Sequence, residues 1–235
     1  MLDGNGREGE AVRTAADWRG SKWLAAVELA LVALIFTADW AHLIPFSKTP
    51  FLLLLGWGSL RLRRLRWREV GLARYRNWAT TLGLGVLGGV LLEAQELFAT
   101  QPLLVWLTGQ QPNLSDFQML IGNLKVTVAA LALAWTLAAF GEEMVYRGYL
   151  MNRVADLGNR TRGAWLASVI AVSVAFGLAH TYQGLTGVVE AGVDGLILGV
   201  FYLRTGRNLA VPIIAHGVQD TVDVLLIFLG KYPGM

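Results

Sequence analysis

The residues able to do chemistry are few, and they sit in apolar surroundings. Glu142, Glu143 and Arg147 lie in "AFGEEMVYRG", directly after the nearly uncharged run "VTVAALALAWTLAAF". At about 100° per residue, Glu143 and Arg147 share one face of a helix, and Glu142 points away from it. Arg147 can therefore neutralise Glu143 and leave Glu142 free. The same three residues could equally form a structural ion pair at a cytoplasmic helix end. The histidines are His42, His180 and His216. His180 closes "FGLAH" and His216 opens "HGVQD", so Phe176 shares a face with His180 and Asp220 with His216. His42, near the outer end of the first apolar run, reads as a packing or hydrogen-bonding group. A carboxylate and an imidazole can share the proton of a water molecule, and a second imidazole can donate to a developing oxyanion. Together these groups suit acyl transfer to water, which is hydrolysis.

The elements that must position them are membrane helices. The chain of 235 residues is 54% hydrophobic and only 16% charged, where soluble domains carry about a quarter charged residues. Apolar runs cover residues 23–44, 50–61, 78–98, 119–141, 164–182, 185–203 and 209–229. A helix of about 20 residues spans a bilayer, and lipid leaves no partner for an open backbone. The expected fold is therefore all-α, a polytopic membrane helical bundle of about seven to eight transmembrane helices. Residues 1–22 read as a polar cytoplasmic tail without the pattern of a signal peptide. Residues 23–235 read as one transmembrane domain, with the motif-bearing core at about 120–230. Absence of cysteine excludes disulfides, thiolate metal sites and a cysteine nucleophile. The formal charge of +3 is no nucleic-acid signal, because the arginines fall in short runs between apolar segments.

Those runs set an expected topology. "RLRRLRWREVGLARYRN", "RVADLGNRTRG" and "RTGRN" fall on one side by span count, which the positive-inside rule makes the cytoplasm, with the N-terminus. "PFSKT" and "QPLLVWLTGQQPNLSDFQ" fall outside. The run at 61–77 reads as a solvated loop at the lipid surface. The expected location is a multi-pass protein of the bacterial inner membrane. The turn between the fourth and fifth spans centres near Thr161, and Glu142 and His180 each lie about 19 residues from it. At 1.5 Å per residue both stand roughly 28 Å from that turn, at similar height if neither helix breaks. His216 approaches from the seventh span. Glu190 and Asp194 share a face of the sixth span, where they would support the site or pack helices. Glu93 and Glu96 read as interfacial.

"EEMVYR" fits EExxxR, "FGLAH" fits FxxxH and "HGVQD" fits HxxxN/D. In this order, inside apolar helices, they resemble the CPBP family of intramembrane endopeptidases, which takes in type II CAAX prenyl proteases and bacteriocin-processing and immunity proteins. The resemblance covers about residues 120–235. It implies an endopeptidase in a membrane cavity open to the cytoplasm, with Glu142 and His180 as the water-activating pair. Glu143 and Arg147 would hold the first motif helix and tune Glu142, with Phe176 in support, and His216 and Asp220 would form the oxyanion site. Asp220 departs from the asparagine of the prenyl protease branch. An ionised aspartate only accepts hydrogen bonds and would repel an oxyanion. Either it carries a proton or, as preferred here, it orients and charges His216. No cofactor is expected. Zinc held by Glu142, His180 and His216 is the alternative, although the chain has no HExxH. The partners expected are a peptide or membrane-protein substrate and the lipid bilayer. Other readings are a non-catalytic membrane partner of the same fold and, with no inverted repeat to support it, a proton-coupled transporter.

Overall fold

A computed structural model describes residues 18–73, 75 and 77–235, so most of the expected N-terminal tail lies outside the described residues. Seven helices follow: α1 (Lys22–Trp40), α2 (Thr49–Leu62), α3 (Trp78–Thr108), α4 (Leu124–Leu157), α5 (Arg162–Leu178), α6 (Gly184–Arg204) and α7 (Ala210–Phe228). Polar residues start four of them. The side chains of Ser21, Asn77, Asn123 and Thr161 accept from the backbone N–H groups of Leu24, Thr80, Val126 and Ala164, meeting donors that the first helical turn leaves unpaired. The fold is an all-helical bundle with five stretches long and apolar enough to cross a membrane: Lys22–Trp40, Trp78–Thr108, Leu124–Leu157, Thr181–Arg204 and Ala210–Phe228. The 17 residues of α5 and the 14 of α2 fall short of that length, so the expected count of seven to eight spans is not reached by length alone.

Two helices run past the ends of their apolar runs. The third apolar run was expected to stop at 98, but α3 continues to Thr108 through a π-helical turn at Glu96–Thr100, just before Gln101 and Pro102. Proline lacks an N–H and crowds the carbonyl four residues back, and the wider turn absorbs that conflict without ending the helix. The fourth run was expected to stop at 141, but α4 continues to Leu157, π-helical over Ala134–Glu142 and Met144–Leu150. The EExxxR residues thus stand in the middle of a helix. Their charges are met inside the protein, so a fall in hydropathy there does not mark an exit from the membrane.

Apolar side chains face outward and many polar ones inward, as a lipid solvent demands. Leu34, Leu54, Leu87, Phe98, Trp106 and Leu166 are exposed, whereas Glu28, Glu143, Arg147 and Asp194 are buried. With lipid outside, helices gain little from hiding leucines and associate through close backbone approach. A Cβ on Gly89 of α3 would sit 2.5 Å from the Ala215 carbonyl oxygen of α7. One on Gly177 of α5 would sit 2.5 Å from the Val188 carbonyl oxygen of α6.

Contacts define the two ends of the bundle. At one end Glu28 accepts from Ser59 at 2.8 Å and pairs with Arg63 at 3.0 Å and Arg153 at 3.6 Å, and the Tyr202 hydroxyl donates to the Val70 carbonyl at 2.8 Å. Arg63 is therefore a buried ion-pair partner and not part of a solvated run. At the other end Asn113 N–H donates to the Gln183 carbonyl at 2.8 Å, Gly122 N–H to that of Phe228 at 2.9 Å and Lys48 Nζ to that of Ala179 at 3.4 Å.

Candidate active site

The site is built outward from Glu143, which is completely buried in α4. Its Oε1 accepts from Arg147 Nη1 at 2.5 Å and lies 3.0 Å from His216 Nδ1 of α7. The spacing of four read from the sequence does bring Arg147 onto Glu143. Arg147 Nη2 also donates to the Gly195 carbonyl of α6 at 3.0 Å, and the guanidinium lies 4.9 Å from the centroid of the Phe176 ring. One ion pair thus ties α4 to α5, α6 and α7. Arg147 is engaged with Glu143 and not with Glu142.

His216 has a carboxylate at each ring nitrogen: Glu143 at Nδ1, and Asp220 Oδ1 at 3.5 Å from Nε2. Phe176 packs between the two histidines, its centroid 4.9 Å from His180 and 5.9 Å from His216. His180 was expected within a helix reaching 182. It instead sits in the turn after α5, which ends at Leu178. Its Nδ1–H donates to the Phe176 carbonyl at 2.8 Å. A carbonyl only accepts, so in a neutral ring Nε2 keeps its lone pair. The turn still holds His180 beside Phe176, though by a backbone contact and not by a shared helix face.

Glu142, Phe176, His180, His216 and Asp220 line one cavity of about 380 Å³, with Glu143 and Arg147 packed behind it. His42 is exposed in the loop after α1 and does not line it. The zinc alternative fits poorly. Both ring nitrogens of His216 face carboxylates, and among the described residues no group of three or more His, Asp or Glu is placed to hold a metal ion. Toward one end the cavity is lined by Ser47, Pro112, Leu114, Tyr182, Gln183 and Tyr232, from the loops and turns there. The arginine-rich loops lie at the other. The cavity thus extends toward the end opposite the arginine-rich loops, whereas the sequence reading had it open on their side.

A second polar layer adjoins the first. Glu93 and Glu96, expected at an interface, are buried at 5% and 7% exposure within α3. Glu96 accepts from Gln219 Nε2 at 2.7 Å and from the Tyr232 hydroxyl at 2.8 Å. Asp194 accepts from Gln219 Nε2 at 2.8 Å and from Gln95 Nε2 at 2.9 Å. Gln95, Gln219 and Tyr232 had no place in the motif reading. A signal for this layer existed in the polar pairs three or four apart within apolar runs: Glu93 and Glu96, Glu190 and Asp194, Gln219 and Asp223. The bond from His216 to Glu143 spans 73 positions and has no such signal.

Residues 124–222 match a family model described as type II CAAX prenyl endopeptidase Rce1-like. The matched segment runs from the start of α4 into α7 and takes in all three motifs. No curated protein and no solved structure matches the chain.

Proposed function

We propose, from the Rce1-like type II CAAX prenyl endopeptidase domain over residues 124–222, that the protein is an intramembrane endopeptidase that cleaves with an activated water. The domain and the apolar helices together support the reading of an integral membrane protein with a protease-like domain. The finer reading rests on one observation: Glu142, His180, His216 and Asp220 line a single cavity, while Arg147 is occupied by Glu143. Glu142, with no arginine claimed for it, takes a proton from water as the oxygen attacks the scissile carbonyl carbon. His180, held through Nδ1, offers Nε2 to the same water. The carbonyl becomes an oxyanion. A His216 ring carrying protons on both nitrogens donates from Nδ1 to Glu143 and turns Nε2–H toward the cavity, where the oxyanion develops. Asp220, 3.5 Å from that nitrogen, orients the ring and does not donate itself. The proton taken from water then passes to the leaving amine as the C–N bond breaks. Water is consumed, and an acid and an amine are released.

With the arginine-rich loops on the cytoplasmic side, the end of the cavity lined by Ser47, Tyr182 and Tyr232 faces away from the cytoplasm, and substrate enters from there or from the lipid. The test is peptidase profiling of the purified protein beside Glu142→Ala, with membrane-helix peptides and prenylated tetrapeptide substrates. Cleavage by the wild type and not by the variant supports the reading. Cleavage of no peptide, or equal cleavage by both, removes it.

A further inference from the structure

The acceptors in the cavity outnumber the donors that face them. On the wall formed by α3, α6 and α7, Glu96 and Asp194 are satisfied by neutral donors, the amides of Gln219 and Gln95 and the hydroxyl of Tyr232. Glu190 is only 5% exposed and lines the cavity, yet its Oε1 has no hydrogen-bond partner. Asp223 lines it too, and its carboxyl faces that of Glu93 behind the wall, so the two can share one proton between them. The arginine and lysine nearby are already engaged and do not line the cavity, Arg147 by Glu143 and Gly195 and Lys48 by Asp39 at 2.9 Å, and His216, which does line it, is held between Glu143 and Asp220. A buried acceptor left without a donor is costly, and more so when it is a carboxylate. Among the described residues these groups are not arranged to hold a metal ion. Much of the rest of the lining is apolar, including Leu133, Leu137, Leu198, Val224 and Ile227. An apolar lining with an unmet carboxylate oxygen fits a long apolar stem that ends in a cation with several N–H donors.

We propose that this wall is a subsite for a lysine or arginine side chain of the substrate, next to the bond that Glu142 serves. The proposal rests on the endopeptidase reading of the cavity and adds to it the substrate's charge. It places the scissile bond near a basic residue that enters an apolar helical chamber.

The probes are otherwise identical apolar peptides that carry, at one position at a time, either lysine or norleucine, which keeps the stem and removes the ammonium. At one position flanking the cut, the wild-type protein should favour lysine in kcat/KM by on the order of 10–100-fold, the scale of one buried charge contact. That ratio should fall toward one in Glu190→Gln, and Asp223→Asn serves as a second, independently folded variant. Binding to Glu142→Gln, measured by peptide fluorescence anisotropy, should show the same preference without turnover. Equal kcat/KM and equal binding for lysine and norleucine at every position would overturn the subsite, as would a ratio unchanged in both variants. If no peptide is cut but lysine-selective binding persists, the subsite stands and the protease reading falls. If peptides are cut without any preference for lysine, the protease reading stands and the subsite falls.

Discussion

Replacing Glu143 with glutamine separates a fold-holding role from a chemical one. In the wild type Glu143 and Arg147 are 0% and 1% exposed, and Glu143 also carries the Nδ1 contact of His216. Glutamine keeps the shape and removes the charge, which strands the Arg147 cation inside the bundle. Removing one member of a buried pair costs about 3–5 kcal/mol. The glutamine oxygen still accepts one bond, so the lower end is expected. The double variant Glu143→Gln with Arg147→Met removes the stranded charge. What remains is the unpaired Gly195 carbonyl that Arg147 Nη2 had met, a cost of about 1–3 kcal/mol. The double variant should therefore be more stable than Glu143→Gln alone while remaining inactive, because His216 has lost its orienting carboxylate. Equilibrium unfolding in detergent micelles, followed by tryptophan fluorescence, measures the wild type, Glu143→Gln, Arg147→Met and the double variant. The reasoning fails if Glu143→Gln unfolds within about 0.5 kcal/mol of wild type, or if the double variant loses the full sum of the two single losses.

Gly89→Ala should destabilise the bundle by about 1–3 kcal/mol, since its methyl would meet the Ala215 carbonyl oxygen at 2.5 Å; an unchanged unfolding midpoint would mean that α3 and α7 are not packed this closely. Cysteines introduced at the exposed positions Ser115 and Arg204 should label from opposite faces of oriented membranes, with Arg204→Cys reached only from the cytoplasm. No native cysteine interferes, and labelling of both from one face would overturn the topology. His216→Ala should lower kcat by on the order of 10²–10³, the scale of one oxyanion donor, whereas retention of wild-type kcat would remove His216 from that role. Strong chelators should leave turnover intact, and loss of activity restored by added zinc would replace the metal-free mechanism.

Much of the polar cluster was legible because charge is rare in this chain. Within long apolar runs, Glu142, Glu143, Arg147, His180, His216 and Asp220 stand out against leucine and alanine, and their spacings of four match real contacts: Glu143 with Arg147, and His216 with Asp220. Helix ends were less legible. Hydropathy falls at the EExxxR charges and at Pro102, yet π-helical turns carry both helices onward. The turn that ends α5 before His180 follows no proline and lies in the apolar, small-residue stretch "FGLAH". The side of the membrane on which the cavity opens was hidden for a geometric reason. Residue types show which loops are basic but not which helix ends the cavity meets, and that depends on how far along α4 and α5 the motifs fall. The polar pairs of the second layer were visible within their own runs, but their meeting was hidden because Glu93, Glu96, Glu190, Asp194, Gln219 and Asp223 come from three separate helices.

The central claim is that Glu142 and His180 serve one water. The most direct test compares single-turnover cleavage by the wild type, Glu142→Gln, His180→Ala and the double variant, on a peptide that the wild type cuts, with unfolding midpoints measured in parallel. Residues that act as one unit are not additive. Each single variant should lose roughly 10³-fold or more in rate while remaining folded, and the double variant should lose little beyond the worse single. Wild-type cleavage by either single variant, or losses that multiply in the double, would contradict the shared-water account.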